Sequence, residues 1–420
     1  TLTFASNLST GDVIDFIIVF GNSLSAGTPT DATVTTAKLA DSAVTAAKIT
    51  DSTITAAKLA SGTVQNQSAF KNIIINGDMS LAQRSTSASS LTSSAYNTMD
   101  RWHLALSSLG TWTQSQSTDV PTGQGFAKSM KLDCTTADAS PSSGDAMILQ
   151  TRIEGQNLQY LKKGTSSAES TTLSFWVKSN KTGTYICELR DNDNSRQISK
   201  SYTISSADTW EKKTLTFAGD TTGAFDNDNA KSLEIEFWLG AGTDFTSGTL
   251  ATSWSSATNA NKAVGQVNLA DSTSNEWYIT GVQFETGTSA SDFEFLPFDV
   301  NLKRCERYYQ KSFNYSTVPV DNTNSEFIYQ YVEPYSGGSM SGLRTHYNTV
   351  MRAKPTVTLY TTAQGSGQGT GKISFYNGSS WGTASASVQA ASSHKFHHLE
   401  GSSFSSMKLA QYNFEATAEL

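Results

Sequence analysis

The sequence predicts an all-β chain in three successive parts: a shaft built from short repeats, a jelly-roll β-sandwich, and a smaller C-terminal β domain. Three observations predict it. An aliphatic residue returns at every fifth position between residues 32 and 64. Strand-like segments with apolar alternation then recur at short intervals as far as residue 284, the pattern of a sandwich. Charged residues are only 16% of the chain while Ser and Thr make up roughly a quarter, against a usual charged share of about 25%. Such a balance suits β-sheets with neutral, hydroxyl-rich surfaces.

The repeat comes first in the argument. Val34, Leu39, Val44, Ile49, Ile54, Leu59 and Val64 keep a strict five-residue register, and Lys38, Lys48 and Lys58 mark a ten-residue unit. A period of five fits neither a helix at 3.6 nor a strand at 2, and it lacks the 3.5-residue seam of a coiled coil. One apolar residue in five cannot close a core within one chain, so the stripe predicts stacking or association of several copies. Within a unit, Thr-x-Ala-Lys reads as a single helical turn beside an extended Val-Thr step.

Composition narrows the function classes. A net charge of -7, with no Lys/Arg cluster, argues against a nucleic-acid partner. The longest aliphatic and aromatic run, Phe16 to Phe20, is far shorter than the roughly 20 residues of a spanning helix, so no membrane insertion is expected. Cys134, Cys187 and Cys305 are widely spaced and odd in number, which predicts reduced thiols and no CxxC metal site.

The parts follow in order. Residues 1–30 read as the C-terminal part of a small β domain, with Leu2 and Phe4 alternating with Thr, a turn at Gly11 and Asp12, and a strand from Val13 to Phe20. Residues 31–67 are the shaft. Residues 68–298 carry strands expected at 171–179, 182–190, 197–203, 211–217, 232–239 and 277–284, with Phe175, Val177, Leu189, Ile235 and Phe237 facing the core. Asp299 is expected to cap a linking helix that runs to Lys311, within a linker of residues 299–312. Residues 313–420 then hold strands expected at 327–332, 342–347, 356–360, 372–376 and 411–415.

Alternation places Trp176, Glu188, Arg190, Glu236 and Trp238 on faces opposite the core. Aromatic rings beside charged hydrogen-bonding groups suit stacking on a sugar. Trp254 and Trp381, in loop-rich stretches, are further candidates. Two acidic turns, containing Asp191 with Asp193 and Asp226 with Asp228, offer the hard oxygen ligands that calcium prefers. Neither continues as an EF-hand loop, since Arg196 stands at the sixth position where Gly is needed. Residues 365–372 lack the Gly and Ser/Thr of a phosphate-binding loop and read as a Gly-rich hairpin. No catalytic signature is present: the histidines form no Ser-His-Asp pattern, and a carboxylate pair can be proposed in any chain with 37 acidic residues.

The order of motifs carries a resemblance. Residues 72–79 (NIIINGDM), Gln83 with Arg84, and residues 96–102 (YNTMDRW) open a module; residues 174–179 (SFWVKS), 265–269 (GQVNL) and 277–285 (WYITGVQFE) continue and close it. Residues 293–298 (FEFLPF), 305–309 (CERYY) and 351–355 (MRAKP) follow, and the decad repeat precedes. Together they resemble the jelly-roll tail fibre proteins of bacteriophages. The resemblance implies a homotrimer, with the seven aliphatic positions near its axis, in the tail fibre of a virion. Other tail proteins would bind at the N-terminal side, and a host-cell receptor, a surface glycan, would be recognised at the far end, beyond residue 312. It implies a non-enzymatic attachment protein; a polysaccharide depolymerase tailspike and a purely structural spacer or head fibre are the alternatives.

Overall fold

The computed structural model describes residues 7, 9–13, 34–40, 43–45, 48–49, 70–323, 326–331, 339–400 and 407–420. The chain divides into two compact units, Thr1–Gln65 and Asn66–Leu420.

In the first unit one local structure repeats. Thr36–Lys38 form a 3-10 turn, with Lys38 N donating to Thr35 O at 2.9 Å, and the same bond from Lys48 N to Thr45 O, also 2.9 Å, returns ten residues later. This is the single turn expected of each Thr-x-Ala-Lys unit. Val34, Leu39, Val44 and Ile49 are 38–53% exposed on the single chain; Ile54, Leu59 and Val64 lie outside the described residues. The turn expected at Gly11 and Asp12 is present, with Gly11 at φ +112° and Asp12 N bonded to Ser9 O. The strands expected on either side of it lie outside the described residues.

The second unit begins with a sandwich of eleven strands: β1 (Ser87–Ala95), β2 (His103–Ser117), β3 (Ser129–Thr136), β4 (Ala146–Glu154), β5 (Thr171–Ser179), β6 (Gly183–Asp191), β7 (Arg196–Ile204), β8 (Glu211–Phe217), β9 (Lys231–Ala241), β10 (Ser255–Ser256) and β11 (Glu276–Thr286). They pair in the order β10-β7-β6-β9-β4-β2-β3-β11-β5-β8, with β1 beside β2. The hinge of this ribbon is the long strand β2. Its first half pairs with β4 and its second half with β3, so it passes from one layer to the other, the way strands turn the corners of sandwiches. The bend falls at Ser108 and Gly110, both at positive φ. A Cβ on Gly110 would stand 2.6 Å from Thr136 O, so only glycine admits the close return of β3.

Folding the ribbon brings Phe175 of β5 to 5.1 Å from Phe237 of β9 and from Tyr202 of β7. Phe175, Val177, Leu189, Ile235 and Phe237 are all buried, at 0–1% exposure, as the alternation predicts. All three cysteines are buried and unpaired.

Helix α1 (Thr243–Thr246) belongs to the long connection after β9, and helix α2 (Phe298–Glu306) follows β11. α2 is shorter than expected and capped differently. Pro297 occupies the N-cap with no side-chain hydrogen bond, and Asp299 sits in the first turn. The helix stops at Glu306 because Tyr309–Lys311 becomes strand β12, whose backbone pairs with residues 415–417.

Eight further strands complete the unit: β13 (Ile328–Tyr331), β14 (Ser339–His346), β15 (Thr356–Tyr360), β16 (Lys372–Tyr376), β17 (Trp381–Ser385), β18 (Ser387–Ala391), β19 (Lys395–Glu400) and β20 (Leu409–Thr417). β20 is their spine. It pairs along one edge with β12 and β13 and along the other with β15 and β16, while β14, β19 and β18 form a separate small sheet. Among the described residues no helix is long and apolar enough to cross a membrane.

Replacing Phe237 by Ala should destabilise the sandwich by about 3–5 kcal/mol, read from the midpoint of urea unfolding. A cost below ~1 kcal/mol would mean that the contact between the two layers is not what holds them together.

Candidate functional site

The face predicted to bind sugar is assembled as the alternation requires. Three rows cross the layer in register. Gln197, Arg190, Glu234 and Arg152 form one; Ser199, Glu188, Glu236, Gln150 and His103 the next; Ser201, Ile186, Trp238, Ile148 and Ala105 the third. The connection after β9, however, lies over it. Phe245 packs 5.2 Å from Trp238, and Ala263 and Leu250 join the same apolar cluster. Ser199 is bonded to the main-chain oxygens of Ala251 and Lys262. Glu188, Glu236 and Trp238 are therefore buried, and Trp238 Nε1 donates to Glu188 at 3.0 Å. Their assignment to ligand contact is corrected: the rings and carboxylates that would meet a sugar meet the protein's own loop. Arg190 alone of this group keeps partial exposure, 3.9 Å from Glu234.

Burial has an electrostatic consequence here. Desolvation, and then mutual repulsion, push Glu236 well above the usual glutamate range; desolvation also raises Glu188, though Lys262 offsets part of it. Gln150 donates to Glu236 at 2.6 Å. Beside them, burial and then Arg152 hold His103 down to about 4.

The remaining expected residues are dispersed. Trp176 lies half-buried on the outer face of β5, beside Thr280 of β11 and Lys212 of β8. Trp254 closes one end of the sandwich, donating Nε1 to Ala218 O at 2.7 Å. Trp381 begins β17, with its ring 5.5 Å from that of Tyr376.

The two acidic turns do meet, since Asp226 N donates to Asp193 at 2.9 Å, but a lysine supplies the cation. Lys163 Nζ is 2.6 Å from Asp191 and 3.1 Å from Asp220, and it donates to the carbonyls of Thr222 and Gly223 at 3.0 and 2.7 Å. Asp228 caps its own turn through Ala230 N. Among the described residues no group of three or more His, Cys, Asp or Glu could hold a metal. The calcium reading of Asp191, Asp193, Asp226 and Asp228 is thus corrected: Asp191 is met by an ammonium and Asp193 and Asp228 by main-chain amides, so the four carboxylates do not converge.

The best-formed cavity was not anticipated. It measures about 320 Å³, within the usual range of small-molecule sites, and three segments build it. Spacings of three and four residues put Arg304, Arg307 and Tyr308 on one side of α2 and its end. The turn after β4 contributes Gln156, Asn157 and Tyr160, and the segment opening the sandwich contributes Phe70, Ile73 and Ile75. Phe70 and Tyr160 are 55% and 49% exposed, so two rings are open to solvent at its margin. The side-chain amide of Asn157 and the Tyr160 hydroxyl bond to no other described group, and burial lifts the Tyr160 phenol to about 12. No carboxylate lines the cavity.

Arginines dominate its chemistry, and most are already engaged. Arg307 grips Glu154 through two bonds of 2.7 Å. Burial alone would raise that carboxylate, but the bonds from Arg307 and Tyr308 hold it below the ordinary glutamate value. Arg152 bonds Glu234 at 3.0 Å. Arg101, 1% exposed, pairs with Glu419 and lies 3.4 Å over the Tyr308 ring.

Two other grooves, in and beside the C-terminal strands, lack this character. One of about 430 Å³ holds Tyr96, Tyr309 and Tyr360, but the last two donate their hydroxyls to Glu415. The other, about 490 Å³ beside β15, has no aromatic lining.

No family model matches the sequence, and no curated protein matches it. Similar solved structures include the enzymatically active domain of tailspike protein 4 from bacteriophage CBA120, 18% identical over 52% of this chain and 22% of that one, with a TM-score of 0.28. A CBM4 chain is 13% identical over 50% of this chain and 98% of its own, TM-score 0.26. TmCBM61, solved in complex with β-1,4-galactotriose, is 8% identical over 52% and 99%, TM-score 0.26. The chain therefore spans about a fifth of the tailspike domain's length and nearly all of the two modules.

Two predictions follow from the buried charges. Lys163→Met should destabilise the protein by about 3–5 kcal/mol, because Asp191 and Asp220 would be left buried without their cation; thermal unfolding of variant and parent measures it. For the acid pair, the folded values lie above the unfolded value of 4.5. The folded state then keeps protons that the unfolded chain releases, so this contribution is complete below 4.5 and is lost as pH rises through the folded values. Glu236→Gln should flatten the decline, its advantage over the parent growing with pH. Parallel stability curves would contradict the pairing.

Proposed function

We propose that this chain is part of a homotrimeric tail fibre of a bacteriophage virion, and that it attaches the particle to a host-surface glycan through the cavity between α2 and the sandwich. The observation that carries the reading is the cavity itself: two solvent-facing rings and an unengaged amide around a volume suited to a sugar. Sugars are bound in this way, by stacking on aromatic faces and by planar hydrogen-bonding groups. This reading assigns recognition to the cavity rather than to the segment beyond residue 312.

The exposed stripe of Val34, Leu39, Val44 and Ile49 supports self-association, since each would be supplied once per chain around a shared axis. Other virion proteins are the partners proposed for the N-terminal side. A binding role is favoured over hydrolysis because glycoside cleavage needs two carboxyl groups flanking the bond, and the cavity lining has none.

The parent protein should have a trimeric mass in light scattering, and Ile49→Asp should disrupt it by placing charges against an apolar axis. Purified parent should pull down host envelope polysaccharide without releasing reducing ends, and Phe70→Ala with Tyr160→Ala should abolish the pull-down while leaving the mass unchanged. Release of oligosaccharides would point to a depolymerase instead, and retention by the double variant would move the receptor site elsewhere.

A further inference from the structure

We propose that the cavity selects an acidic sugar, with the ring seated against Phe70 and Tyr160 and a carboxylate received by Arg304; this rests on the glycan-binding reading above.

The argument is a census of charge. Arg101, Arg152 and Arg307 each have a carboxylate partner, Glu419, Glu234 and Glu154 respectively. Arg304 has none within 4 Å among the described residues. Its single hydrogen bond is a long one, 3.4 Å to Asn72 O, and its Cζ lies 5.8 Å from the Phe70 ring centroid. Most of the five N–H donors of its guanidinium thus have no hydrogen-bond partner among the described residues. Glu294 acts on Arg304 only from beyond 4 Å. Its two oxygens already accept from Phe70 N at 2.6 Å and Asn72 N at 2.9 Å.

Arg304 is also substantially removed from water, and that burial draws its guanidinium below the ordinary arginine value. A guanidinium stays charged at any physiological pH, so the site holds a partly buried cation with no carboxylate within 4 Å among the described residues. A planar carboxylate matches its fork and can accept two parallel bonds. Phe70, stacked near Arg304, and Tyr160, across the cavity, offer apolar faces to the ring that bears the carboxylate, and Asn157 offers a free amide to its hydroxyls. A neutral sugar would use the rings and the amide but leave the cation as it stands.

The test uses the full chain and titrates glucuronic acid, galacturonic acid, their methyl esters and glucose 6-phosphate by calorimetry. The ester keeps the ring and removes the charge. At least one uronate should bind about tenfold or more tighter than its ester, with the difference shrinking as salt rises. Arg304→Gln should reduce uronate affinity to that of the ester while leaving ester affinity unchanged. Arg304→Lys, which keeps the charge but not the fork, should recover only part. Far-UV circular dichroism and thermal midpoints equal to the parent's confirm that each variant is folded.

Equal affinity for uronate and ester, unaffected by Arg304→Gln, overturns acid selectivity and leaves the glycan site standing. Binding of glucose 6-phosphate but of neither uronate overturns the carboxylate assignment. Binding of no sugar at all overturns this inference and the cavity reading together.

Discussion

Glu154 is the residue on which the architecture of the second unit turns. It ends β4, is fully buried, and accepts four hydrogen bonds: Nε and Nη2 of Arg307 at 2.7 Å each, the hydroxyl of Tyr308 at 2.5 Å and the amide of Gln156 at 2.5 Å. A buried carboxylate left with fewer partners costs several kcal/mol, so the chain after α2 is held to the edge of the sandwich in one orientation. Everything further along follows from that. Tyr309–Lys311 is delivered to pair with β20, and Glu419, just past β20, returns to Arg84 and Arg101 of the sandwich. The C-terminal strands are therefore tied to the jelly roll by charge at both ends, and the cavity lies inside the first of these ties.

Several buried charges in the unit are met by partners from the protein itself. Lys163 satisfies two aspartates and two carbonyls; Arg101 is covered by the Tyr308 ring and met by Glu419; Lys311 Nζ donates to the main-chain oxygens of Gln83, Tyr315 and Thr317. For the two glutamates beneath the loop after β9, burial raises both carboxyls above the usual glutamate range. Interiors tolerate ions only when paired and hydrogen-bonded. Against that background Arg304, beside an open cavity, has a single long hydrogen bond and no carboxylate within 4 Å among the described residues.

Much of the fold could be read from pattern, and the reasons are local. Strands β5, β8, β15 and β16 were predicted to the residue because their apolar positions alternate cleanly and turn residues bound them. The four strands between residues 87 and 154 give a weak sequence signal because β1 and β2 are rich in Ser and Thr, and because β2 changes layer in mid-course, which shifts its alternation. The helix expected to run to Lys311 stops at Glu306, although Leu302, Cys305 and Tyr309 keep a helical spacing past that point. A pairing with residues more than a hundred positions away overrode it. The site was harder to read for the same reason. Alternation correctly grouped Glu188, Glu236 and Trp238 on one face, but which loop covers a face is a tertiary fact. Phe245, Leu250 and Ala263 were the only signal, apolar residues in a stretch read as exposed loop. Arg304 was hidden more deeply, since nothing in sequence separates an arginine that lacks a carboxylate from its paired neighbour three residues on.

The two readings, repeat and cavity, reinforce each other physically. A shallow site of about 320 Å³ that stacks one or two rings and offers a few hydrogen bonds can give only a weak single contact with a hydrated polysaccharide, because desolvating hydroxyls offsets most of what the contacts supply. A particle needs more than that to remain on a cell. Carrying one copy of the site on each chain of a self-associating fibre turns later contacts into intramolecular ones, raising avidity by orders of magnitude without any new interface to the ligand. On the functions proposed for them, the aliphatic stripe left open on the single chain would set how many sites act together, and the cavity would set what they accept.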